Sequence, residues 1–304
     1  MTRRVAVTGS SGFIGRHLVD HLASHGADVA PIRRPFEPGA LREAFRRADT
    51  VVHLAGVVSA VRDEDYVAAN VEGTRAVAEA ARACDIPMIL ISSLAAAGPA
   101  PPRAPRTEDD PPAPINAYGR SKLMGERAVA AVDGLRWTVL RPGVVYGPRD
   151  RALLPVFRLA ERGLLPLVGR ADAAYTFVHV SDLVRAIAAA VDRPAAGEIM
   201  FVGHRNPVTT RGLLDGVRAA TGARAARVRV PMALTRLAAW AGDLAGALSG
   251  RPALINSRRY VELASEGFVC RVDRLQERLG VTAEIDLVEG LAKTCEWYRN
   301  EGWL

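Results

Sequence analysis

The stretch "VTGSSGFIG" (7–15) decides how the rest of the chain is read. Its three glycines, Gly9, Gly12 and Gly15, stand between the β-branched run "RVAVTG" (4–9) and the helical pattern "GFIGRHLVDHLASHG" (12–26). Backbone without Cβ atoms turns sharply and lets an anion come close. The helix that follows presents unpaired N–H groups and the positive end of its dipole. A strand, a glycine loop and a helix at the first step of an alternating pattern form a dinucleotide-binding signature. It sets Gly9, Ser11, Gly12, Phe13, Ile14 and Gly15 against a diphosphate.

Working outward, short apolar runs continue to alternate with helical patterns. Strands are expected at 28–32, 50–56, 87–93 and 137–143, and helices at 39–47, 64–84 and 118–132. That alternation predicts an α/β fold, a Rossmann-type doubly wound parallel sheet. The second half is less regular. "YTFVHV" (175–180) reads as a strand, with Ser181 and Asp182 opening the next helix as its cap. "EIMFVG" (198–203) follows, then helical stretches near 210–221, 232–248 and 286–299. The expected division is a dinucleotide-binding domain of 1–145 with about 175–203. A smaller, mixed α/β substrate-binding region takes about 146–174 with 204–304. Between the strand ending at Ser93 and the helix opening at Tyr118 lies "GPAPPRAPRTEDDPPAP" (98–114), whose seven prolines forbid a regular element and make it a candidate lid.

The second signal is "NAYGRSKLMGE" (116–126). The chain has 40 basic residues, of which only Lys122 and Lys293 are lysines. Lys122 follows Tyr118 by four residues, so the two share a helix face. A neighbouring ammonium is expected to stabilise the phenolate and make Tyr118 a usable acid or base. A compact ammonium also reaches ribose hydroxyls where a planar guanidinium is too wide.

The glycine spacing, opened by Thr8, and "YGRSK" together resemble the extended short-chain dehydrogenase/reductase superfamily, the NAD-dependent epimerase/dehydratase family. The resemblance covers nearly the whole chain and implies a catalytic triad of Ser93, Tyr118 and Lys122. It further implies that Leu54, Ala55 and Gly56 of "HLAG" lie under the cofactor, with Pro142, Val144 and Val145 of "RPGVVYGP" near the nicotinamide. Ser93, Leu94, Ala95, Asn70 and Tyr175 are the implied substrate contacts. The 64–84 and 118–132 helices build a dimer in relatives, so a homodimer is expected.

Departures from the family pattern narrow the expected chemistry. Leu94 and Ala95 stand where family dehydratases carry Asp-Glu, so dehydration is not expected. Tyr175 stands where nucleotide-sugar epimerases carry an arginine; Arg170 and Arg258 are the candidates to replace it. The usual helix–strand unit after 28–32 is absent. The second strand ends in Arg33 and Arg34 with no carboxylate before Glu37. Guanidinium groups there favour the 2′-phosphate of NADP over the ribose hydroxyl of NAD. The expected function is hydride exchange between a nicotinamide and a secondary alcohol or ketone. A nucleotide-sugar epimerase and a non-catalytic NADP sensor are the alternatives.

Composition bounds the rest. Three scattered cysteines, Cys84, Cys270 and Cys295, fit a reducing compartment, and the histidines show no metal spacing. No run is long and apolar enough to span a bilayer, and "MALTRLAAWAGDLAGALSG" (232–250) is at most amphipathic. The net charge is +7, but the arginines look scattered, and no nucleic-acid-binding motif accompanies them. A cytoplasmic enzyme with a small-molecule substrate, no metal, and neither a nucleic-acid nor a membrane partner is the expectation.

Overall fold

A computed structural model describes residues 2–194 and 196–304. Strands β1 (Arg4–Thr8), β2 (Asp28–Ile32), β3 (Thr50–His53), β4 (Met88–Ile91) and β5 (Trp137–Pro142) join the Glu198–Val202 strand in a six-stranded sheet. All its pairings are parallel. From one edge the order is Glu198–Val202, β5, β4, β3, β1, β2. A sheet covered on both faces needs apolar residues at consecutive positions, and β3 and β4 are buried throughout.

One face of the sheet packs on the helix α1 (Phe13–Ser24) and the Val180–Asp192 helix through Leu18, Leu22, Leu183 and Ile187. The other face carries Phe45, Val77, Ala81 and Val129 from the remaining crossover helices. Burying each large aliphatic side chain contributes about 1.5–3 kcal/mol. The strand order reverses between β1 and β3, so a crevice opens at the carboxyl ends of these strands.

The C-terminal half builds a separate apolar cluster of Tyr146, Phe157, Leu214, Leu291 and Tyr298. It also holds a parallel pair of strands, Leu164–Val168 and Ala226–Val230, that the sequence reading did not place. Ala226–Val230 is mostly exposed and carries no alternating burial, while Leu164–Val168 buries alternate residues, Leu165 and Leu167.

Two expectations are corrected. Segment 98–114 is no loose flap: Ala100 and Arg106 form β-bridges with Phe268 and Cys270, and Arg274 pairs with Asp109 at 2.7 Å. Backbone hydrogen bonds to a distant strand hold it although its prolines forbid local structure. Nor does the Ser181–Asp182 pair cap its helix. His179 is the N-cap, and the Asp182 carboxylate instead accepts from the Glu284 and Ile285 N–H groups at 3.1 and 2.9 Å.

Candidate active site

The glycine loop and the loop after β3 close on one another. Gly9 has φ +70°, and a Cβ there would lie 2.7 Å from the Ala55 nitrogen. A Cβ on Gly15 would sit 2.1 Å from the Gly9 carbonyl oxygen. Both positions are therefore restricted to glycine by backbone, which cannot yield as a side-chain tip can. Gly12 starts α1 without a side-chain cap, leaving the first N–H groups for an outside acceptor. Beneath the loop, the Thr8 hydroxyl lies 2.7 Å from His53 Nδ1 and accepts from the Ala55 N–H at 3.3 Å. His53 Nε2 reaches Thr74 Oγ1 at 3.1 Å, and Thr74 donates to the Asn70 carbonyl at 2.8 Å. The chain of bonds makes His53 a neutral Nε2–H tautomer. Burial, aided by Lys122 and Arg34, lowers its pKa to about 3. His53 is thus a structural tie between the loops.

Ser11, Gly12, Phe13 and Ile14 line the start of α1, while Leu54, Ala55 and Gly56 follow β3 across the crevice. Pro142 ends β5, and Val144 and Val145 pair with the Phe177–His179 strand. Arg33 and Arg34 follow the end of β2, where Ile32 lies in register with Thr8. Arg34 stacks 5.5 Å from the Phe36 ring, whereas Arg33 is exposed and makes no ion pair among the described residues. These groups form one cradle at the carboxyl edge of the sheet, and the close glycine contacts and free helix start fit a dinucleotide.

The Ala117–Ala130 helix carries Tyr118 and Lys122. Asn116 caps it, accepting from the Gly119 N–H at 2.8 Å, and Gly119 lets the helix approach the Ala95 carbonyl. Ser93, just past β4, caps the short turn Leu94–Ala96, and its hydroxyl bears on the Tyr118 phenol. Tyr118 is half-buried, and burial pushes its phenol up to about 12, with the Ser93 hydroxyl working in the opposite direction. Lys122 is buried and donates to the Ile91 carbonyl at 2.7 Å. Burial lowers its pKa to about 8, opposed by the nearby Glu126 carboxylate. The expected acidification of the phenol is therefore reversed: desolvation, with Glu262 and Tyr66 adding to it, outweighs the lowering by Ser93, and Tyr118 holds its proton at neutral pH.

The folded lysine value lies below the ordinary 10.5, so Lys122 weighs against folding below pH about 8. That penalty is relieved as the pH climbs from about 8 towards 10.5. With only two lysines in the chain, lysine-selective NMR reads this directly. One side-chain resonance is expected to titrate near pH 8 and to vanish in Lys122→Met. A titration at the ordinary lysine value would refute the burial account.

Similarity to known proteins places the fold. Residues 5–203 match the model of the NAD dependent epimerase/dehydratase family. The chain belongs to the NAD-dependent epimerase/dehydratase family. It is 30% identical to a protein of Caulobacter vibrioides named ceramide reductase, over 99% of this chain and 96% of that one. A second relative, from Stigmatella aurantiaca, is named 4-hydroxy-2-methyl-3-oxo-4-farnesyl-3,4-dihydroquinoline-1-oxide ketoreductase. It is 27% identical over 95% of this chain and 94% of that one. Among solved structures, MoeE5 in complex with UDP-glucuronic acid and NAD superposes with a TM-score of 0.79. That match has 26% identity and covers 98% of this chain and 99% of the other. Reductases, epimerases and dehydratases all occur among the relatives, so membership of the epimerase/dehydratase family does not by itself exclude dehydration.

Several features of this family member lay outside the sequence reading. Glu126, one turn beyond Lys122, is buried against Arg141 in a bidentate pair at 2.6 and 3.0 Å, and Ser92 donates to the same carboxylate. The Arg141 guanidinium lies 5.8 Å from the Phe201 ring centroid. Glu126 sits at i+4 from Lys122, a visible spacing, but its partner 15 residues on comes from the sheet. Glu262, on the Ser257–Ala264 helix, accepts from Asn116 at 2.7 Å and bears on both Tyr118 and Tyr175. No local pattern marks it.

Asn70 is also corrected. Its amide bonds Val57 N and O at 2.8 and 3.0 Å and Ser121 Oγ at 2.9 Å. Fully buried, it ties the loop after β3 to the Ala117–Ala130 helix rather than facing a substrate. It lies in a π-helical turn, Ala68–Glu72, within the long helix expected at 64–84. Tyr175 stacks on Phe268 and joins an apolar cluster with Leu94, Ala97 and Phe201. Arg258 is spent on Asp63 and the Ala60 and Val61 carbonyls, and Arg170 on the exposed Asp172.

Proposed function

We propose that this protein is an NADP-dependent ketoreductase acting on a ketone that carries an apolar chain, with Ser93, Tyr118 and Lys122 as its catalytic groups. The observation that carries the reading is the placement of Ser93 against a protonated Tyr118, on the helix that also buries Lys122 and beside the glycine cradle. When bound, the nicotinamide supplies a hydride at C4. In the reductive direction the carbonyl oxygen gains negative charge, and the protein must deliver a proton to it. A phenol held near 12 retains that proton until an alkoxide develops, then gives it up to the stronger base. Ser93 holds the same oxygen through its hydroxyl. Lys122 offers a positive charge to the phenolate that remains and N–H groups to the ribose.

The apolar cluster of Leu94, Ala97, Tyr175 and Phe268 next to Ser93 supports an apolar substrate. The two curated relatives above are reductases whose names carry a ceramide or a farnesyl group. Leu94 and Ala95 have no proton to transfer, which argues against dehydration. With Arg258 and Arg170 already paired, neither is free to meet a sugar diphosphate.

The test is net turnover with a panel of long-chain ketones and nucleotide sugars. Loss of NADPH absorbance with a ketone is expected. Interconversion of sugars without a net cofactor change would establish an epimerase instead, and cofactor binding with no turnover would favour a sensor.

Arg33 and Arg34 are proposed to hold the 2′-phosphate. A charge-assisted hydrogen bond is worth roughly 1.5–3 kcal/mol. Arg33→Ala is therefore expected to weaken NADPH binding by about 10- to 100-fold and leave NADH binding unchanged. Equal losses for both cofactors in fluorescence titrations would remove Arg33 from that role.

A further inference from the structure

The Met232–Ser249 helix is apolar on the wrong side. Its buried positions, Thr235, Ala239 and Gly246, are small and form the face that packs on the protein. The opposite face lines up Leu234, Leu237, Trp240, Leu244 and Leu248, which are 57, 61, 65, 50 and 82% exposed. They recur in steps of three and four, so they form one stripe. Leu254 and Val228, on the segments that flank the helix, are 69% and 47% exposed. Soluble monomers seldom leave such a contiguous stripe open to water.

Charge points to what covers it. Residues 224–259 hold seven arginines against one aspartate, which accounts for six of the chain's seven net positive charges. The scatter expected from the sequence thus hides a local excess. Arg224, Arg229, Arg236 and Arg251 are exposed and make no ion pair among the described residues. No helix among the described residues is long and apolar enough to cross a membrane. We infer that the Met232–Ser249 helix docks this protein on an anionic lipid bilayer, lying in the interface with its leucine stripe among the acyl chains. An apolar face on a segment rich in exposed, unpaired arginines, with a tryptophan in the stripe, matches the layering of headgroups over hydrocarbon. A second copy meeting the same face across a twofold axis would instead bring like charges together.

The docking does not depend on the reductase reading, but it deepens it. Gly242 and Gly246 on the inner side of this helix line a cavity of 430 Å³ that reaches Asn116 and Ala117 beside Tyr118. Given that reading, a docked helix brings this cavity to the headgroup layer, where an amphipathic ketone resides.

The full chain is mixed with vesicles of phosphatidylcholine plus phosphatidylglycerol, and with vesicles of phosphatidylcholine alone, and sedimented. Binding to the anionic vesicles is expected, weakened by salt and weaker on neutral ones. The double variant Leu237→Glu, Leu244→Glu is expected to bind at least about tenfold less while retaining NADPH binding as proof of folding. In the unaltered protein, brominated lipid is expected to quench a fluorescence component that Trp240→Phe lacks. Absence of binding to anionic vesicles overturns the inference, as does undiminished binding by the double variant. A dimer that the double variant dissociates, with no vesicle binding, would give the stripe to a second copy and overturn it too. Ketone turnover without vesicle binding sinks only the docking; vesicle binding without turnover sinks only the reductase reading.

Discussion

Tyr118→Phe is expected to lower kcat for ketone reduction by about 10²- to 10⁴-fold with NADPH affinity unchanged. The substitution removes one oxygen from a ring that already has an aromatic neighbour, Tyr66, with centroids 6.3 Å apart, so the packing survives. What is lost is the group that can hand a proton to the developing alkoxide. Ser93 remains, but its hydroxyl accepts from the Ala95 N–H at 3.2 Å and has no ammonium behind it to stabilise the anion it would leave. Single-turnover hydride transfer, followed with saturating NADPH, separates this loss from substrate binding. A decrease smaller than about tenfold would mean that another group donates the proton, and the ketoreductase mechanism would have to be rebuilt around it.

Glu126→Ala is expected to destabilise the protein by about 3–5 kcal/mol. Glu126 and Arg141 have side chains only 4% and 2% exposed, and removing the carboxylate leaves a guanidinium in the core with no countercharge. Ser92 loses its acceptor in the same step. Glu126→Gln keeps the shape and a carbonyl acceptor, so it should cost less. Urea unfolding of the three proteins measures the difference. A loss below about 1 kcal/mol for Glu126→Ala would show that water or a rearranged side chain replaces the carboxylate. The pair also touches the chemistry, because Glu126 is the charge that opposes the lowering of the Lys122 pKa.

The order of strands and helices in the first half was legible, since short continuous apolar runs and the 3.6-residue repeat of helices are written locally. So was the pairing of Tyr118 with Lys122, which one helix turn brings together. The protonation state of that pair was not. Proximity along a helix argues for an acidic phenol, but burial by residues from other elements drives Tyr118 up and Lys122 down. Segment 98–114 shows the same limit. Its prolines rule out local hydrogen bonding, while the strand that holds it, Gly267–Phe268, lies far along the chain.

The amino-acid sequence by itself determined the glycine loop, the alternating α/β pattern and the face shared by Tyr118 and Lys122, because each depends on groups within a few residues of one another. Tertiary structure alone decided which carboxylate meets Arg141, what Asn70 and Asp182 bind, and which side of the Met232–Ser249 helix faces outward. Those outcomes turn on desolvation and on partners brought together from distant parts of the chain, and neither is encoded in any short window.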